Sequence, residues 1–290
     1  IPDQNSGHMV QHGDFSQVEV PGRYLVKVEG LGISFPFSIG SDVYCQTLID
    51  AVRSYSLQRS NTLIDDPITG LKVHFGHKQD REALMYFSDE YHHREQALDV
   101  SGGWYDAGDY GKYIPPAAVT AAQLLLAYEL NPQVFTVGQL DFPFEIDESE
   151  EHLPDILTEI KFELEWMEKM QRPDGAVYHK VAGRYWPGPI RPEEDTQVRY
   201  IYGMSSYGTA QFAAVMAMAA RIYEPYLPEF AQRMLDNALS AQEYLTSHKD
   251  PFFRIDPGQG DGSGPYDKQT DEEERLWALA ELYKTTGNEE

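Results

Sequence analysis

Two carboxylates three residues apart, Asp106 and Asp109, lie in the stretch Asp99-Val-Ser-Gly-Gly-Trp-Tyr-Asp-Ala-Gly-Asp-Tyr-Gly-Lys-Tyr113. Four glycines, Gly102, Gly103, Gly108 and Gly111, interrupt any regular element, and Trp104, Tyr105, Tyr110 and Tyr113 surround the acids. Glycine permits tight turns and the close approach of another group. Two short acids on such a loop can converge on one small volume and there hold and deprotonate a water molecule. Asp and Gly are also ordinary turn residues, so Asp-Ala-Gly-Asp reads as two consecutive turns as well. The loop runs into Pro115-Pro116, a helix-start signal. A loop displayed by a rigid scaffold is a usual place for function.

The whole string from Val100 to Tyr113 resembles the catalytic loop of glycoside hydrolase family nine, a family made up mostly of cellulases. The resemblance implies that Asp109 is the general base and that Asp106 helps hold the same water. It implies a mainly α fold, an (α/α)6 toroid, and cleavage of β-1,4-glycosidic bonds with inversion. Inversion needs two carboxyl groups about 6.5–9.5 Å apart on opposite sides of the anomeric carbon. The second should be a Glu with a raised pKa, protonated and ready to donate. In the family that Glu lies near the C-terminal end of the barrel; no acidic residue of this chain matches its motif, and none is assigned. The substrate reading is a β-linked glucan, cellulose or cello-oligosaccharides, with endoglucanase-type action. An exo-β-D-glucosaminidase acting on chitosan oligosaccharides is the alternative. An inactive carbohydrate-binding fragment is a third reading, and the intact Asp106/Asp109 pair speaks against it.

Other parts of the chain carry the resemblance further. Gln171–Lys180 is similar to the family's loop bordering the sugar groove, and Tyr185-Trp186-Pro187 follows it. Trp186 is the candidate stacking platform, with Tyr105, Tyr178 and His179 as further sugar contacts. The helix from Arg275 to Tyr283 is preceded by a glycine- and acid-rich stretch, Gly258–Glu274. Some relatives bind calcium just before this helix, which makes Asp271, Glu273 and Glu274 candidate ligands of a structural calcium, a hard cation that takes oxygen donors. Acids at a helix N-terminus also serve the dipole. No cofactor is required. Relatives often carry zinc on Cys and His in the region holding His74, His77, His92 and His93; here Gly76 stands where the Cys is expected, which argues against it.

Composition narrows the partners. Lys+Arg number 23 against 47 Asp+Glu, a net charge of −24, which repels phosphate backbones and anionic membranes. Nucleic acid and membrane are therefore excluded as expected partners. A neutral polysaccharide is indifferent to this field, and an amino-sugar is attracted by it. No run approaches eighteen apolar residues. The N-terminus shows no signal peptide; a secreted or periplasmic location is favoured by the resemblance, and a cytoplasmic one is compatible. The single cysteine, Cys45, allows no intramolecular disulfide and reads as a small buried apolar residue.

The elements that must position the loop follow from periodicity. Residues 1–13 read as a disordered lead-in. Residues 17–39 read as β, with Tyr24–Glu29 alternating and Ile33–Ile39 as a second strand. They resemble the closing strands of an immunoglobulin-like module that precedes the catalytic domain in one branch of the family, giving domains at 1–40 and 41–290, a chain truncated at both ends. Apolar residues at helical spacing predict helices over 41–59, 115–130, 154–171, 206–223, 228–247 and 271–286, the last stopping at Gly287. Residues 60–101 read as irregular. No strand pattern of comparable strength intervenes, which disfavours a TIM barrel or a doubly wound sheet.

Overall fold

The computed structural model describes residues 2–254 and 264–288. Two compact units are distinguished, residues 1–51 and 52–290. In the first, residues 2–9 close a turn through a Pro2–Met9 bridge, while residues 10–13 form no regular element. Strands β1 (Gly22–Tyr24), β2 (Lys27–Val28), β3 (Gly32–Ile33) and β4 (Phe37–Ile39) follow. They form two antiparallel ribbons, β1 with β4 and β2 with β3, so the two long strands expected are broken into four short ones. Phe37 packs against Phe15 and Tyr24, with ring centroids 5.4 and 6.2 Å away.

Helix α1 spans Cys45–Ser56, shorter than the spacing predicts, because residues 41–44 form a turn rather than a cap. Cys45 is exposed, not buried as expected: it stands in the first turn, ahead of the buried Val52, Arg53 and Ser56. The region expected to be irregular contains β5 (Leu63–Asp65), β6 (Lys72–His74), β7 (Ala83–Met85) and β8 (Ala97–Leu98). After the acidic loop come β9 (Lys112–Tyr113) and α2 (Ile114–Leu130). Helix α3 (Asp155–Lys169), β10 (Tyr178–Ala182), β11 (Tyr200–Ser205) and α4 (Ser206–Tyr223) follow. Helix α5 (Pro228–Ser247), β12 (Phe253–Arg254) and α6 (Glu272–Thr286) complete the described elements.

The helices form where local signals and burial agree. Prolines at the start of α2 suit positions whose N–H groups have no helical partner. Ser205 caps α4, its hydroxyl accepting from the Gly208 amide. Gly287 ends α6 in the left-handed conformation. Helix α4 is the centre of the fold: its Ala- and Met-rich sequence is buried nearly all round, and it packs against α2, α5 and α6, while α3 packs on α2. Small side chains let these neighbours approach closely on every side.

A sheet that periodicity did not announce supports the loop. Its order is β8-β7-β11-β10-β9, with β12 also paired to β11. β7 and β11 are parallel; the other pairs are antiparallel. β10 and β11 are buried on both faces, so neither shows the apolar–polar alternation of a half-exposed strand. In this sheet Lys180 lies opposite Tyr113, at the end of the acidic loop.

Candidate active site

The acidic loop is folded back on itself. The Asp106 amide donates to the Gly111 carbonyl at 2.9 Å, and the Tyr110 amide to Ala107 at 3.0 Å. Tyr110 takes up φ +55°, a strained value for a non-glycine residue. At the loop entrance Gly103 has φ +80° and packs so closely on Trp166 that a Cβ would lie 2.6 Å from its ring. Its carbonyl accepts from the Ser60 amide, and the Tyr105 amide donates to Gln58. Trp104 is fixed at both of its donors: its amide donates to Glu163 Oε2 at 2.6 Å and its indole N–H to Glu159 Oε1 at 2.7 Å.

Each aspartate is held by its own tyrosine. Tyr113 donates to Asp109 Oδ2 at 2.6 Å, and Tyr266 donates to Asp106 Oδ2 at 2.6 Å. The two phenol rings meet edge to face, with centroids 4.9 Å apart. Asp109 is buried, and its Oδ1 has no hydrogen-bond partner among the described residues. A buried carboxylate oxygen left in this state costs free energy unless a donor hydrogen-bonds to it, and a water molecule is the smallest group that can donate. Loss of hydration pushes the Asp106 pKa up, and Asp109 pushes it the same way, against the Tyr266 hydroxyl. Lys180 is buried between the Tyr113 and Tyr202 rings, its Nζ 5.7 and 5.2 Å from their centroids. Burial lowers its pKa to about 8, and the attraction of Asp109 is the opposing influence.

A cleft of about 520 Å³ opens beside the loop, lined in part by Tyr55, Trp104, Tyr105, Asp106, Tyr110 and Glu163. Trp186 is 58% exposed, and its ring lies 3.9 Å from where a Cβ on Gly108 would stand. The indole is thus exposed beside the turn between the two aspartates. Tyr105 also lines the cleft, but its hydroxyl is engaged with His77 Nδ1 at 2.7 Å, and His77 Nε2 meets Asp195 at 3.1 Å. Burial, with Arg199 nearby, lowers the His77 pKa to about 4, so the ring is neutral at pH 7.

Several expected site residues are placed elsewhere. Tyr178 and His179 are buried in β10 rather than facing a groove. Tyr178 donates to Asp89 at 2.7 Å, and His179 is occupied by Ser205 and the Pro265 carbonyl, so neither offers a group to a sugar. Their strand is inside the sheet, where the tyrosine and histidine need internal partners. The calcium ligands are also corrected. Asp271 pairs with Arg275 at 2.9 Å, and Lys268 meets both Glu273 and Glu274, at 3.2 and 2.5 Å. Two cations are thus shared among the three carboxylates, which are ion-paired rather than gathered on one metal position; residues 258–263 lie outside the described residues. For zinc, Gly76 supplies no donor, and the space of a Cβ there is taken by Pro192 and the Tyr105 hydroxyl, both 2.7 Å away. Both His77 nitrogens are engaged, so these side chains do not fit a zinc ion. Among the described residues, no three His, Cys, Asp or Glu side chains converge on a metal position.

Sequence reasoning did not find Tyr266, Lys180 or Glu163. Tyr266 is 160 residues from its partner Asp106, and nothing in its local sequence marks it. Lys180 was within the stretch read as a groove loop; its cross-strand position opposite Tyr113 exists only in the sheet.

Comparison with known proteins adds the ancestry. Residues 44–290 match the family described as glycosyl hydrolase family 9. Endoglucanase D of Acetivibrio thermocellus is 34% identical over 99% of this chain and 45% of its own length. A cellodextrinase of Butyrivibrio fibrisolvens is 32% identical over 99% of this chain and 50% of its own. The crystal structure of GH family 9 endoglucanase J30 superposes with a TM-score of 0.96 at 55% identity, over 99% of this chain and 53% of that one. The chain spans about half the length of the relatives it matches.

Proposed function

The chain belongs to glycosyl hydrolase family 9, and from that premise we propose that it carries the base side of an inverting β-1,4-glucan hydrolase of endoglucanase type. Asp109 is the general base. Its unpaired, buried Oδ1 is the observation that carries the proposal: it accepts a proton of the attacking water, while Tyr113 holds Oδ2. Asp106 orients the same water, itself held by Tyr266. Trp186, beside Gly108, stacks on a sugar ring and sets the chain across the loop. The general acid is assigned to none of the described residues. Glu163 is kept protonated by burial; it borders the cleft but has no exposed surface, and its Oε2 already accepts from the Trp104 amide, so it is not assigned as the acid.

Residues 41–290 form part of an (α/α)6 catalytic domain in this reading, with residues 1–40 as closing strands of an immunoglobulin-like module. Support comes from the J30 superposition, which extends over almost the whole chain. The substrate is glucan rather than chitosan, as the names of the relatives suggest. Export from the cytoplasm goes with a polysaccharide substrate. No described helix is long and apolar enough to cross a membrane.

The test uses the complete protein on cello-oligosaccharides and chitosan oligosaccharides, with Asp109→Ala beside it. Cleavage of the glucan with α-anomeric product, reduced about 10²–10⁴-fold in the variant, is expected for loss of a general base. Undiminished turnover by Asp109→Ala, or cleavage of the chitosan series alone, would overturn the proposal.

A further inference from the structure

Beneath the acidic loop lies a charge cluster that the chemistry above does not use. Asp80 stands in a short 3-10 turn, Lys78–Glu82, and is fully buried together with Lys112 of β9 and Arg199 just ahead of β11. Arg199 Nε donates to Asp80 Oδ1 at 2.8 Å, and Lys112 Nζ pairs with Asp80 Oδ2 at 2.8 Å. Further donors of the two cations reach loop carbonyls, while Arg199 Nη1 has no partner among the described residues. Lys112 Nζ donates to Val100 at 2.9 Å and Gly102 at 2.6 Å, and Arg199 Nη2 donates to Tyr110 at 2.7 Å. The Asp80 carbonyl accepts from the Val100 amide at 2.8 Å. Both arms of the loop, one before Trp104 and one just after Asp109, are therefore tied to one carboxylate.

This is a costly way to fill a core. Each buried ion forfeits several kcal/mol of hydration, and apolar residues of similar volume would often serve stability as well. Burial alone would push Asp80 up, yet Arg199 and Lys112 bring it down to about 2, so it is ionised throughout the working range. What the ions supply, and apolar groups could not, is directed donors to three carbonyls of a glycine-rich segment with no regular hydrogen bonding of its own. The buried Arg53–Asp66 pair offers a contrast: its guanidinium reaches Leu140 and Asp141 and touches nothing in the loop.

We propose that Asp80 is a positioning residue for the acidic loop, acting through Lys112 and Arg199 to fix the backbone on which Asp106 and Asp109 are spaced. The kinetic consequence rests on the proposed hydrolysis; the effect on the loop does not. The experiment takes the complete protein and its Asp80→Asn and Arg199→Lys variants, and reads amide hydrogen exchange of residues 99–113 beside steady-state kinetics on a cello-oligosaccharide. Arg199→Lys keeps a cation for Asp80 but replaces a two-pronged donor by a single ammonium, which cannot also hold the Tyr110 carbonyl. It also guards against a misfolded Asp80→Asn. In both variants exchange across the loop accelerates while α2, α3 and α4 keep their protection. kcat falls by about 10²-fold in Asp80→Asn, the cost of a small misplacement of reacting groups, and KM changes little. Loop exchange equal to the unsubstituted protein in Arg199→Lys would overturn the proposal. So would exchange that rises equally in the helices of both variants, which would make the cluster an ordinary core element. An unsubstituted protein without glucanase activity would refute the hydrolase reading, and the exchange measurement would still decide the role of Asp80.

Discussion

Replacing Glu163 by Gln should make the protein more stable at neutral pH, and the gain should grow with pH. Glu163 is completely buried in α3, where Oε2 accepts from the Trp104 amide and Oε1 has no partner among the described residues. Burial is the main influence on its pKa and pushes it up to about 8, with Glu159 adding to the rise and the Trp104 amide, Lys112 and Arg59 opposing it. In the unfolded chain the group has its ordinary value of 4.5. A carboxyl whose pKa is higher in the folded state contributes its full stability below pH 4.5 and loses it as pH rises through about 8. Each pH unit in that window corresponds to about 1.36 kcal/mol, and the whole window to on the order of 5 kcal/mol. Gln has nearly the same shape, keeps an oxygen for the Trp104 amide and has nothing to titrate. Urea unfolding of both proteins at half-unit steps from pH 5 to 8 measures the difference. Near pH 5 the two should be close; toward pH 8 the variant should pull ahead by about 1.4 kcal/mol per pH unit. Parallel stability curves, with the variant weaker throughout, would show that Glu163 is ionised in the fold and held by Lys112, and would refute the reasoning.

Other consequences of the site can be read in the same way. Tyr266→Phe removes the hydroxyl that lowers the Asp106 pKa, so the acid limb of the kcat/KM profile should move to higher pH, and kcat/KM should fall about tenfold or more, as for a hydrogen bond to a charged group; an unmoved limb would remove Tyr266 from the machinery. Trp186→Ala should raise KM about three- to tenfold with little change in kcat or in unfolding midpoint, since the ring is largely exposed and contributes mainly contact with the sugar; unchanged KM would place sugar stacking elsewhere. Gly175→Ala should cost about 2–4 kcal/mol, because φ is +94° and the added Cβ would meet the Ser240 carbonyl oxygen at 2.1 Å; a denaturation midpoint unchanged from the parent would refute it.

The helical part of this fold was legible in the residues because its signals are local. Pro228 and the spacing of Phe230, Met234, Ala238 and Tyr244 define α5 without reference to any other segment. The same holds for α4, between Ser205 and Tyr223, and for the stop of α6 at Gly287. The sheet was not legible. β10 and β11 are enclosed on both sides and contain lysine, histidine and tyrosine, whose polar ends are satisfied by partners far along the chain. That is also why Tyr178 and His179 looked like sugar contacts: an aromatic and an imidazole in a short polar stretch read the same whether they face a groove or close a core.

The site divides along the same line. The closeness of Asp106 and Asp109 was legible in the sequence, because a tight glycine-rich turn is a local object whose two acids share a neighbourhood wherever the loop is placed; the roles proposed for them came from the family resemblance. Tyr113, the partner of Asp109, is local to the loop; the other partners were decided only by the tertiary structure. Asp106 is held from 160 residues away by Tyr266, Trp104 from 59 residues away by Glu163, and Arg199 spans 119 residues to reach Asp80. No periodicity or spacing encodes such pairings, because each depends on how helices and strands pack, and burial together with the cations packed nearby then sets which carboxyls keep their protons.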